Sequence, residues 1–311
     1  MSVEFTVGIP THNRRETVLL AAASALEQTR PPNRVCVVAD GCTDGTREAL
    51  EALGDDRIEV LDRPKGAGFG YAHRNEVLEQ AGDGVVAWLA DDDLWLPDHL
   101  ERAGELFDAG VAGIVNSMAC LVQEDGTLLP FGIHWRAPTY RERFFGVENR
   151  TPSGAVSHLA AEARAVDGWP ADVEKAGDWD LWQRLMRSGL RSEMVLSPTV
   201  LFFRATGRKQ GWRDRVAQNT QFLARIRDPA ELARLRAEMA YSCAAEAHRV
   251  EAALVHATAR AAELERELAA SQAERQRIIG DLEGLTSSAW WRMRRPFEPA
   301  LQLRRRLMRR V

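Results

Sequence analysis

Residues 84–93, GVVAWLADDD, run from an apolar segment directly into three consecutive aspartates. The same change from apolar to polar residues occurs in RVCVVADG at 34–41 and in FTVGIPTHNR at 5–14. A short apolar run of this kind predicts a strand that is buried on both faces. Segments of helical composition separate these runs, at 16–28, 46–53 and 71–81. The alternation predicts βα units and a parallel sheet.

The polar ends of these three runs are expected to meet in space. They contain residues 11–14, 40–45 and 91–93. The carboxyl ends of parallel strands lie at one edge of a sheet, and ligands of such folds bind beyond that edge. We therefore expect three separate loops to form one crevice.

The rest of the chain changes character twice. Residues 111–205 mix strand-like segments at 111–122 and 194–203 with a helical segment at 178–189. Beyond residue 215, Ala, Glu, Arg, Gln and Leu predominate. Apolar residues then keep a 4,3 spacing through 250–285, which predicts a coiled coil that joins copies of the chain, with Ser271 and Arg275 as weak positions. The alternative is a long helix that packs against the preceding domain of its own chain.

The last segment, 286–311, carries eight arginines and one glutamate, with Trp290 and Trp291 side by side. Basic residues interleaved with tryptophans are typical of a segment that lies on an anionic membrane surface. The alternatives are a solvated basic tail and a nucleic-acid contact. We expect the membrane surface, because adjacent tryptophans favour the interface.

Composition excludes several classes of protein. The chain has 311 residues, of which 45% are hydrophobic, and a net charge of -4, so it can bury a full core and is not expected to bind nucleic acid. It has no apolar run of about 18 residues, the length that a spanning helix needs. The first residues lack the basic start of a signal peptide, so we expect a cytoplasmic protein, held peripherally at the inner face of the cell membrane by its tail. Four cysteines lack the spacing of a zinc site or a disulfide framework.

The three aspartates Asp91, Asp92 and Asp93 require a cationic partner, because adjacent carboxylates repel each other and lose hydration. A hard divalent cation, Mn²⁺ or Mg²⁺, is the simplest candidate. Such ions prefer one or two carboxylates together with water and substrate phosphates. The alternative is that Asp93 lies near the start of the following helix and caps it.

A second pair of carboxylates, Asp178 and Asp180, stands at the start of a helical segment. Either residue could be an N-cap. The neighbouring Trp179 and Trp182 suggest instead an apolar wall suited to the face of a sugar. A carboxylate in such surroundings can have a raised pKa and act as a general base.

Five motifs, in this order, resemble those of family 2 glycosyltransferases: VGIPTHNR, VVADGCTDGT, KGAGFGYAHRNEVL, WLADDDLWLPDHL and AGDWDLWQRLMRSG. Together they cover about residues 1–205. The resemblance implies an α/β catalytic domain of the GT-A fold, which is Rossmann-like with a mostly parallel central sheet. The helical, coiled-coil extension would follow it.

The resemblance also implies an activity. Members of the family transfer a sugar, with inversion, from a nucleotide diphosphate sugar, usually a uridine or thymidine one, to an acceptor hydroxyl. Here the acceptor would be a glycan, a lipid-linked molecule or a small molecule, and Mn²⁺ or Mg²⁺ would be the cofactor. FFRATGRKQGWRDR at 202–215 has the place of the acceptor-side loop and only partly matches the Q-x-x-R-W of processive synthases, so we expect a non-processive enzyme.

Site residues carry over from the resemblance by motif. Pro10, Thr11 and Arg14 match the first loop, on the nucleobase side. Asp40 matches the aspartate that contacts the base, and Arg74 matches an arginine near the donor diphosphate. The alternatives are local: Pro10 ends a strand, Asp40 forms an Asx turn, and Arg74 pairs with a nearby glutamate.

Two positions depart from the common family pattern. Ala90 stands where an aspartate is usual, so the metal-side residue is Asp92 by direct alignment, or Asp91 and Asp93 by D-x-D spacing. Gly177 stands where many relatives have glutamate, which leaves Asp178 as the matched base, with Asp180, Trp179 and Trp182 on the acceptor side.

Two other functions are alternatives to the glycosyltransferase. A sugar-nucleotide-forming nucleotidyltransferase would need a glycine-rich first loop, which THNRRE is not. A catalytically weak scaffold that binds carbohydrate or nucleotide, tethered by its coiled coil and tail, fits the two departures. We expect four segments: the glycosyltransferase domain at 1–215, a helical connector at 216–249, the coiled coil at 250–285 and the basic amphipathic tail at 286–311.

Overall fold

The computed structural model describes residues 2–132, 135–203 and 209–287. Within them, nine strands form one sheet, in the order β3-β2-β1-β4-β8-β6-β9-β5, with β7 paired to β6. The strands are β1 (Phe5–Thr11), β2 (Arg34–Asp40), β3 (Ile58–Arg63), β4 (Val85–Trp88), β5 (Leu94–Trp95), β6 (Ile114–Val122), β7 (Leu128–Phe131), β8 (Val156–Leu159) and β9 (Ser192–Phe203).

The first four strands form the part of the sheet that positions the loops. β1 pairs in parallel with both β2 and β4, and β2 pairs in parallel with β3. Their carboxyl ends therefore lie at one edge, as the sequence predicts. Because both faces of β1, β2 and β4 are covered, these strands are almost entirely buried, which explains their continuous apolar runs.

The second half of the sheet has mixed pairing. β8 is antiparallel to both β4 and β6, β7 is antiparallel to β6, and β5 is antiparallel to β9. β6 and β9 are parallel, with a shift of register after Ser117. The last residue of β9, Phe203, lies close to the acidic segment that follows β4, because the Phe203 N–H bonds to the Asp93 carboxylate.

Helices cover both faces of the sheet. Their bounds are α1 (Arg15–Leu26), α2 (Thr46–Glu51), α3 (Asn75–Gln80), α4 (His99–Asp108), α5 (Pro138–Gly146), α6 (Ala160–Ala165), α7 (Gly177–Arg187), α8 (Lys209–Arg227) and α9 (Pro229–Ser287), with 3₁₀ turns at Tyr71–Arg74 and Ser153–Ala155. One apolar cluster joins α1 and α4 to the sheet, and a second joins α3, α6 and α7 to it.

The core extends beyond the expected boundary at residue 215. A third apolar cluster contains Phe222, Leu223 and Ile226 of α8 and Leu235 and Met239 of α9, all buried. The first compact unit accordingly runs from Met1 to Glu246. Most of the connector expected at 216–249 is therefore part of this unit. The segment is rich in Ala and Arg, but its few large apolar residues belong to the third apolar cluster.

The second compact unit begins at Ala247 and contains the rest of α9. Its helical structure agrees with the expected extension. The basic tail expected at 286–311 lies outside the described residues beyond Ser287, as does part of the acceptor-side loop, at 204–208. Among the helices that are described, none is long and apolar enough to cross a membrane.

Candidate active site

A cavity of about 410 Å³ lies at the carboxyl edge of the parallel strands. The loops after β1, β2 and β4 all line it, as expected. Its lining includes seven residues that the sequence singled out: Pro10, Thr11, Arg14, Asp40, Arg74, Asp91 and Asp92.

Hydrogen bonds hold the first two loops together. His12 Nδ1 donates to the carbonyl oxygen of Asp40 over 2.6 Å, and the N–H of Thr43 donates to Asn13 Oδ1 over 2.7 Å. Asn13 adopts a left-handed backbone with φ 53°, which aims its side chain at the second loop. Thr11 Oγ1 is buried on the cavity wall and has no hydrogen-bond partner among the described residues. An unsatisfied hydroxyl at this place favours a polar ligand.

Asp40 is buried beneath the loop that precedes α3. Its carboxylate accepts hydrogen bonds from Lys65 Nζ and from the N–H of Gly66, the latter over 2.6 Å. Gly70 passes so close that an added Cβ would lie 2.5 Å from the carboxylate carbon, and its φ is +65°, so glycine is required here. Asp40 is thus built into a polar corner of the cavity, with Lys65 as a neighbour that sequence reasoning missed.

The acidic loop after β4 divides into two parts. Arg14 Nη1 donates to Asp91 Oδ1 over 2.8 Å and to Asp92 Oδ2 over 3.3 Å. Burial, and then the charge of Asp91, raises the pKa of Asp92 to about 7. The carboxylates of Asp91 and Asp92 therefore converge on one point of the cavity wall, and the guanidinium of Arg14 occupies that point.

Asp93 does not belong to the cavity. It is fully buried, its Oδ1 accepts from the N–H of Phe203 over 2.9 Å, and burial raises its pKa well above the ordinary value. The structure therefore does not bring Asp93 to the cavity wall with Asp91 and Asp92, where the metal site is expected. Asp93 does not cap the following helix either, since α4 begins at His99 after the N-cap residue Asp98.

The remaining pair fits a divalent cation. No group of three or more His, Cys, Asp or Glu side chains is arranged as a metal site in the part of the chain that the structure describes. Mn²⁺ and Mg²⁺ nevertheless accept one or two carboxylates when substrate phosphates complete the shell. Asp91 and Asp92 already converge on the positive charge of Arg14, so the donor set suits a hard cation that is also held by a phosphorylated ligand.

Arg74 is a buried cation on the same cavity. Its guanidinium carbon lies 4.6 Å from the ring centres of both Tyr71 and Trp169, and its Nη2 donates to the carbonyl oxygen of Phe69 over 3.2 Å. Burial lowers its pKa to about 10, so it stays charged at neutral pH. Arg74 Nε has no hydrogen-bond partner among the described residues. A buried charge with a spare donor suits an anionic ligand.

Asp178 stands in the first turn of α7. Its Oδ1 accepts from the N–H of Trp179 over 2.8 Å, and burial raises its pKa despite this bond and the charge of Arg74. The residue before it, Gly177, lies against the ring of Tyr71, where an added Cβ would be 2.8 Å from Cδ2. The glycine therefore lets Tyr71 pack directly against the start of the helix that carries Asp178.

The other acceptor-side residues take different places. Asp180 forms an ion pair with Arg184 at 2.7 Å on the helix surface, and Arg184 donates to the carbonyl oxygens of Val166 and Gly168. Trp179 is half-buried and donates to the carbonyl oxygen of Phe144 over 2.7 Å.

The structure does not bring Trp182 to the cavity, because Trp182 is fully buried and its ring packs edge-on against Trp169. The apolar stripe of α7 faces the core, and Trp182 belongs to that stripe. Asp178, Trp179 and Asp180 are not among the residues that line the cavity, but Asp178 lies close enough to Arg74 for their charges to interact.

Helix α8 supplies two residues that the sequence did not indicate. Asn219 is fully buried and its Nδ2 donates to the carbonyl oxygen of Asp92 over 2.8 Å. Arg215 is buried, its charge acts on Asp92 and Asp93, and its guanidinium lies 5.5 Å from the ring centre of Phe203. Both residues fix the acidic loop from behind, and only the folded helix brings them there.

A family model matches the part of the chain that contains these loops. The model of glycosyl transferase family 2 matches residues 6–167, which is more than half of the chain. The chain belongs to glycosyl transferase family 2. Its α/β architecture is a GT-A-like fold, as the motifs led us to expect.

Named relatives share only parts of this chain. The putative teichuronic acid biosynthesis glycosyltransferase TuaG of Bacillus subtilis (strain 168) is 34% identical over 127 residues, which is 40% of this chain and 50% of the relative. The chain therefore aligns with about half of that relative's length.

Two solved structures share the fold. TarS 1–349 of S. aureus in complex with UDP-GlcNAc has a TM-score of 0.54 and 18% identity, covering 67% of this chain and 60% of that one. A mannosyltransferase from Pyrobaculum calidifontis in complex with GDP-Man and Mn²⁺ has a TM-score of 0.50 and 22% identity, covering 78% and 70%. At these identities the likeness is one of fold.

Proposed function

We propose that this family 2 member is an inverting glycosyltransferase that moves a sugar from a nucleotide diphosphate sugar, UDP- or dTDP-linked, to an acceptor hydroxyl. The observation that carries the proposal is the combination of a buried, charged Arg74 on the cavity wall with a half-buried Asp178 near it, whose pKa is raised. The positive charge of Arg74 suits a departing diphosphate, and the carboxylate of Asp178 suits the removal of a proton from the acceptor. Family membership and the UDP-GlcNAc complex of TarS support this reading.

The reaction would be a single displacement. Asp178 takes the proton from the acceptor hydroxyl while that oxygen forms a bond to the anomeric carbon. The bond from this carbon to the diphosphate oxygen breaks on the opposite face, so the configuration inverts. Arg74 stabilises the charge that grows on the departing diphosphate, and preorganised charges of this kind are typically worth several kcal/mol.

Asp91 and Asp92 would hold Mn²⁺ or Mg²⁺ in this scheme. When bound, the cation adds positive charge next to the diphosphate. The carboxylates fix its position, and Asn219 and Arg215 fix the loop that carries them. Calorimetric titration with UDP, with and without Mn²⁺, tests this role. Tighter binding with Mn²⁺ is expected, and equal affinities would exclude the metal.

Substitution of Asp178 tests the catalytic assignment. Asp178→Asn keeps the size of the side chain and removes its basicity, so UDP binding should persist. Release of nucleoside diphosphate from UDP and dTDP sugars should fall by about 10² to 10⁴-fold, the usual contribution of a positioned base. Asp180→Asn is the matched control, since Asp180 is occupied by Arg184. An active Asp178→Asn variant would show that another residue is the catalytic base.

A catalytically weak scaffold is the competing function. It would bind nucleotide or carbohydrate through the same cavity without turning over the donor. Nucleotide release that depends on Asp178 would exclude it, because a scaffold needs no base.

We infer that the acceptor belongs to cell-envelope or other glycan assembly and that transfer is non-processive. The acceptor would be a glycan, a lipid-linked molecule or a small molecule, and the enzyme would work in the cytoplasm, at the inner face of the membrane. Sedimentation of the full chain with anionic liposomes at low and high salt tests the last point. Absence of pelleting at low salt would refute membrane association, because each Arg near an anionic leaflet should add about 1 kcal/mol to the binding free energy.

We also propose that the second unit joins copies of this chain. Apolar side chains at the 4,3 positions of α9 are 44 to 65% exposed along the single helix, namely Val250, Leu254, Leu264, Leu268, Ile278, Leu282 and Leu285. A helix with a continuous apolar seam buries it by pairing with another helix. The spacing fits a second copy of the same segment.

A further inference from the structure

Arg14 occupies the point at which a cation would bridge the two carboxylates of the acidic loop. A single nitrogen, Nη1, lies 2.8 Å from Asp91 and 3.3 Å from Asp92. The two carboxylates are 8% exposed, while the side chain of Arg14 is 35% exposed. The acidic pair is therefore fixed and buried, and the cation that neutralises it reaches in from the rim.

The position of Arg14 in the chain leaves its guanidinium a second place to go. Arg14 precedes the first residue of α1, in the loop that lines the cavity together with Arg74. Its side chain has four rotatable bonds and lines the same cavity as Arg74, Asp91 and Asp92. A rotation of this side chain away from the acidic pair would therefore leave its charge within the cavity that Arg74 also lines.

Two observations point to an anionic ligand in that space. Arg74 Nε and Thr11 Oγ1 are both buried, both residues line the cavity, and both atoms have no hydrogen-bond partner among the described residues. A diphosphate carries several strong acceptor oxygens and would satisfy such donors.

We propose that Arg14 is an exchangeable counter-ion: a divalent cation replaces it on Asp91 and Asp92, and its guanidinium then pairs with the diphosphate of the donor. This rests on the proposed function. A cation that binds alone must first displace Arg14. A nucleotide that arrives with it gives Arg14 a new partner. The two ligands therefore assist each other, and Arg14 couples them.

Direct titration of Mn²⁺ tests the exchange without any measurement of turnover. Free Mn²⁺ is followed by electron paramagnetic resonance in the wild type and in Arg14→Gln, first without nucleotide. Removal of the competitor should tighten Mn²⁺ binding by about tenfold, within the range usual for coupled sites. Unchanged or weaker binding in Arg14→Gln would overturn the proposal.

A matched control separates exchange from a general loss of positive charge. Lys65→Gln removes a cation that lines the same cavity but pairs with Asp40. It should change Mn²⁺ affinity by less than about twofold, because the carboxylates at the metal site keep Arg14. Equal tightening in both variants would show that only net charge matters and would also refute the exchange.

The second half of the test adds UDP. In the wild type, saturating UDP should tighten Mn²⁺ binding more than it does in Arg14→Gln, since the variant has no guanidinium to release. The same gain in both proteins would contradict the coupling. Absence of Mn²⁺ binding in both proteins, with and without UDP, would remove the metal role and this proposal together, while the test of Asp178 by nucleotide release would still stand.

Discussion

At the scale of single residues, Asp93, Asp178 and Asp180 carry the same carboxylate but differ in their burial and in their bonding partners. Asp93 lies in the core and bonds to a backbone N–H, whereas Asp180 pairs with Arg184 at the surface. Asp178 is half-buried, burial raises its pKa, and no ion pair neutralises it among the contacts of the described residues. Burial without a salt bridge is the environment that suits a general base.

The pH dependence of turnover should report this environment. Burial raises the pKa of Asp178 above its ordinary value, and a base must be ionised to accept a proton. The rate of nucleotide release should therefore fall with decreasing pH at a higher pH than an exposed aspartate, with a pKa of about 3.9, would give. A profile of kcat against pH measures the inflection. An inflection at the ordinary value would contradict the assignment.

The same shift predicts the stability of Asp178→Asn. A carboxyl whose folded pKa is raised stabilises the fold only in its protonated form, and this contribution is lost as pH rises through the folded pKa. At neutral pH the ionised Asp178 is thus a cost to folding. Asp178→Asn should be at least as stable as the wild type there, so its loss of activity would not reflect unfolding.

Gly177 offers a third prediction at this scale. An added Cβ would lie 2.8 to 2.9 Å from three ring carbons of Tyr71, which packs tightly beside Arg74. Gly177→Ala should displace Tyr71 or the start of α7, cost about 1–3 kcal/mol in unfolding free energy and lower kcat. Gly146→Ala is the control, because nothing lies within 4 Å of that Cβ. Wild-type stability and activity for Gly177→Ala would show that the contact is dispensable.

At the scale of secondary-structure elements, helix α8 holds the acidic loop. Asn219 donates to the carbonyl oxygen of Asp92 from a fully buried position. Asn219→Ala should leave that carbonyl unsatisfied, cost about 1–3 kcal/mol and weaken UDP binding in the presence of Mn²⁺. Thr220→Ala is the matched control, since Thr220 is exposed and bonds within its own helix. Chemical denaturation and calorimetry measure both effects, and unchanged UDP affinity would refute the supporting role.

The sequence predicted which elements form and where the strand ends meet, because apolar runs and their polar ends are local features. It could not predict which side chain of an element faces the cavity. Trp182 appeared suited to a sugar and is buried, since the orientation of α7 depends on the whole second apolar cluster. Asn219 and Lys65 carry no motif, and they reach the site only because distant segments pack together. Contacts of this kind arise from tertiary structure.

At the scale of the whole molecule, the chain divides after Glu246 rather than near residue 215. A fragment 1–246 should keep the thermal stability of the first compact unit. A fragment that ends at Asp228 should lose several kcal/mol, because it removes the buried Leu235 and Met239, and each buried side chain of this size contributes about 1.5–3 kcal/mol. Thermal unfolding of both fragments, with and without UDP, measures the difference. Equal stability would show that α9 adds nothing to the core.

The second unit should determine the oligomeric state. Leu268 lies on the apolar seam and is 59% exposed, whereas Val255 is 66% exposed and lies off the seam. Leu268→Glu places a charge in the interface of a paired helix, and Val255→Glu places the same charge on its outer surface. Loss of two buried leucines, at about 1.5–3 kcal/mol each, should raise the dissociation constant by at least about a hundredfold.

Analytical ultracentrifugation of the full chain distinguishes these cases. The wild type and Val255→Glu should sediment as the same oligomer and Leu268→Glu as a monomer, with equal affinity for UDP, because the cavity is built within residues 1–246. Arg275, which occupies a seam position, adds a test in the opposite direction: Arg275→Leu should tighten association, since a charged residue on the seam lowers stability. A monomeric wild type at all concentrations would refute the pairing, and loss of the oligomer in Val255→Glu would place the interface on another face of the helix.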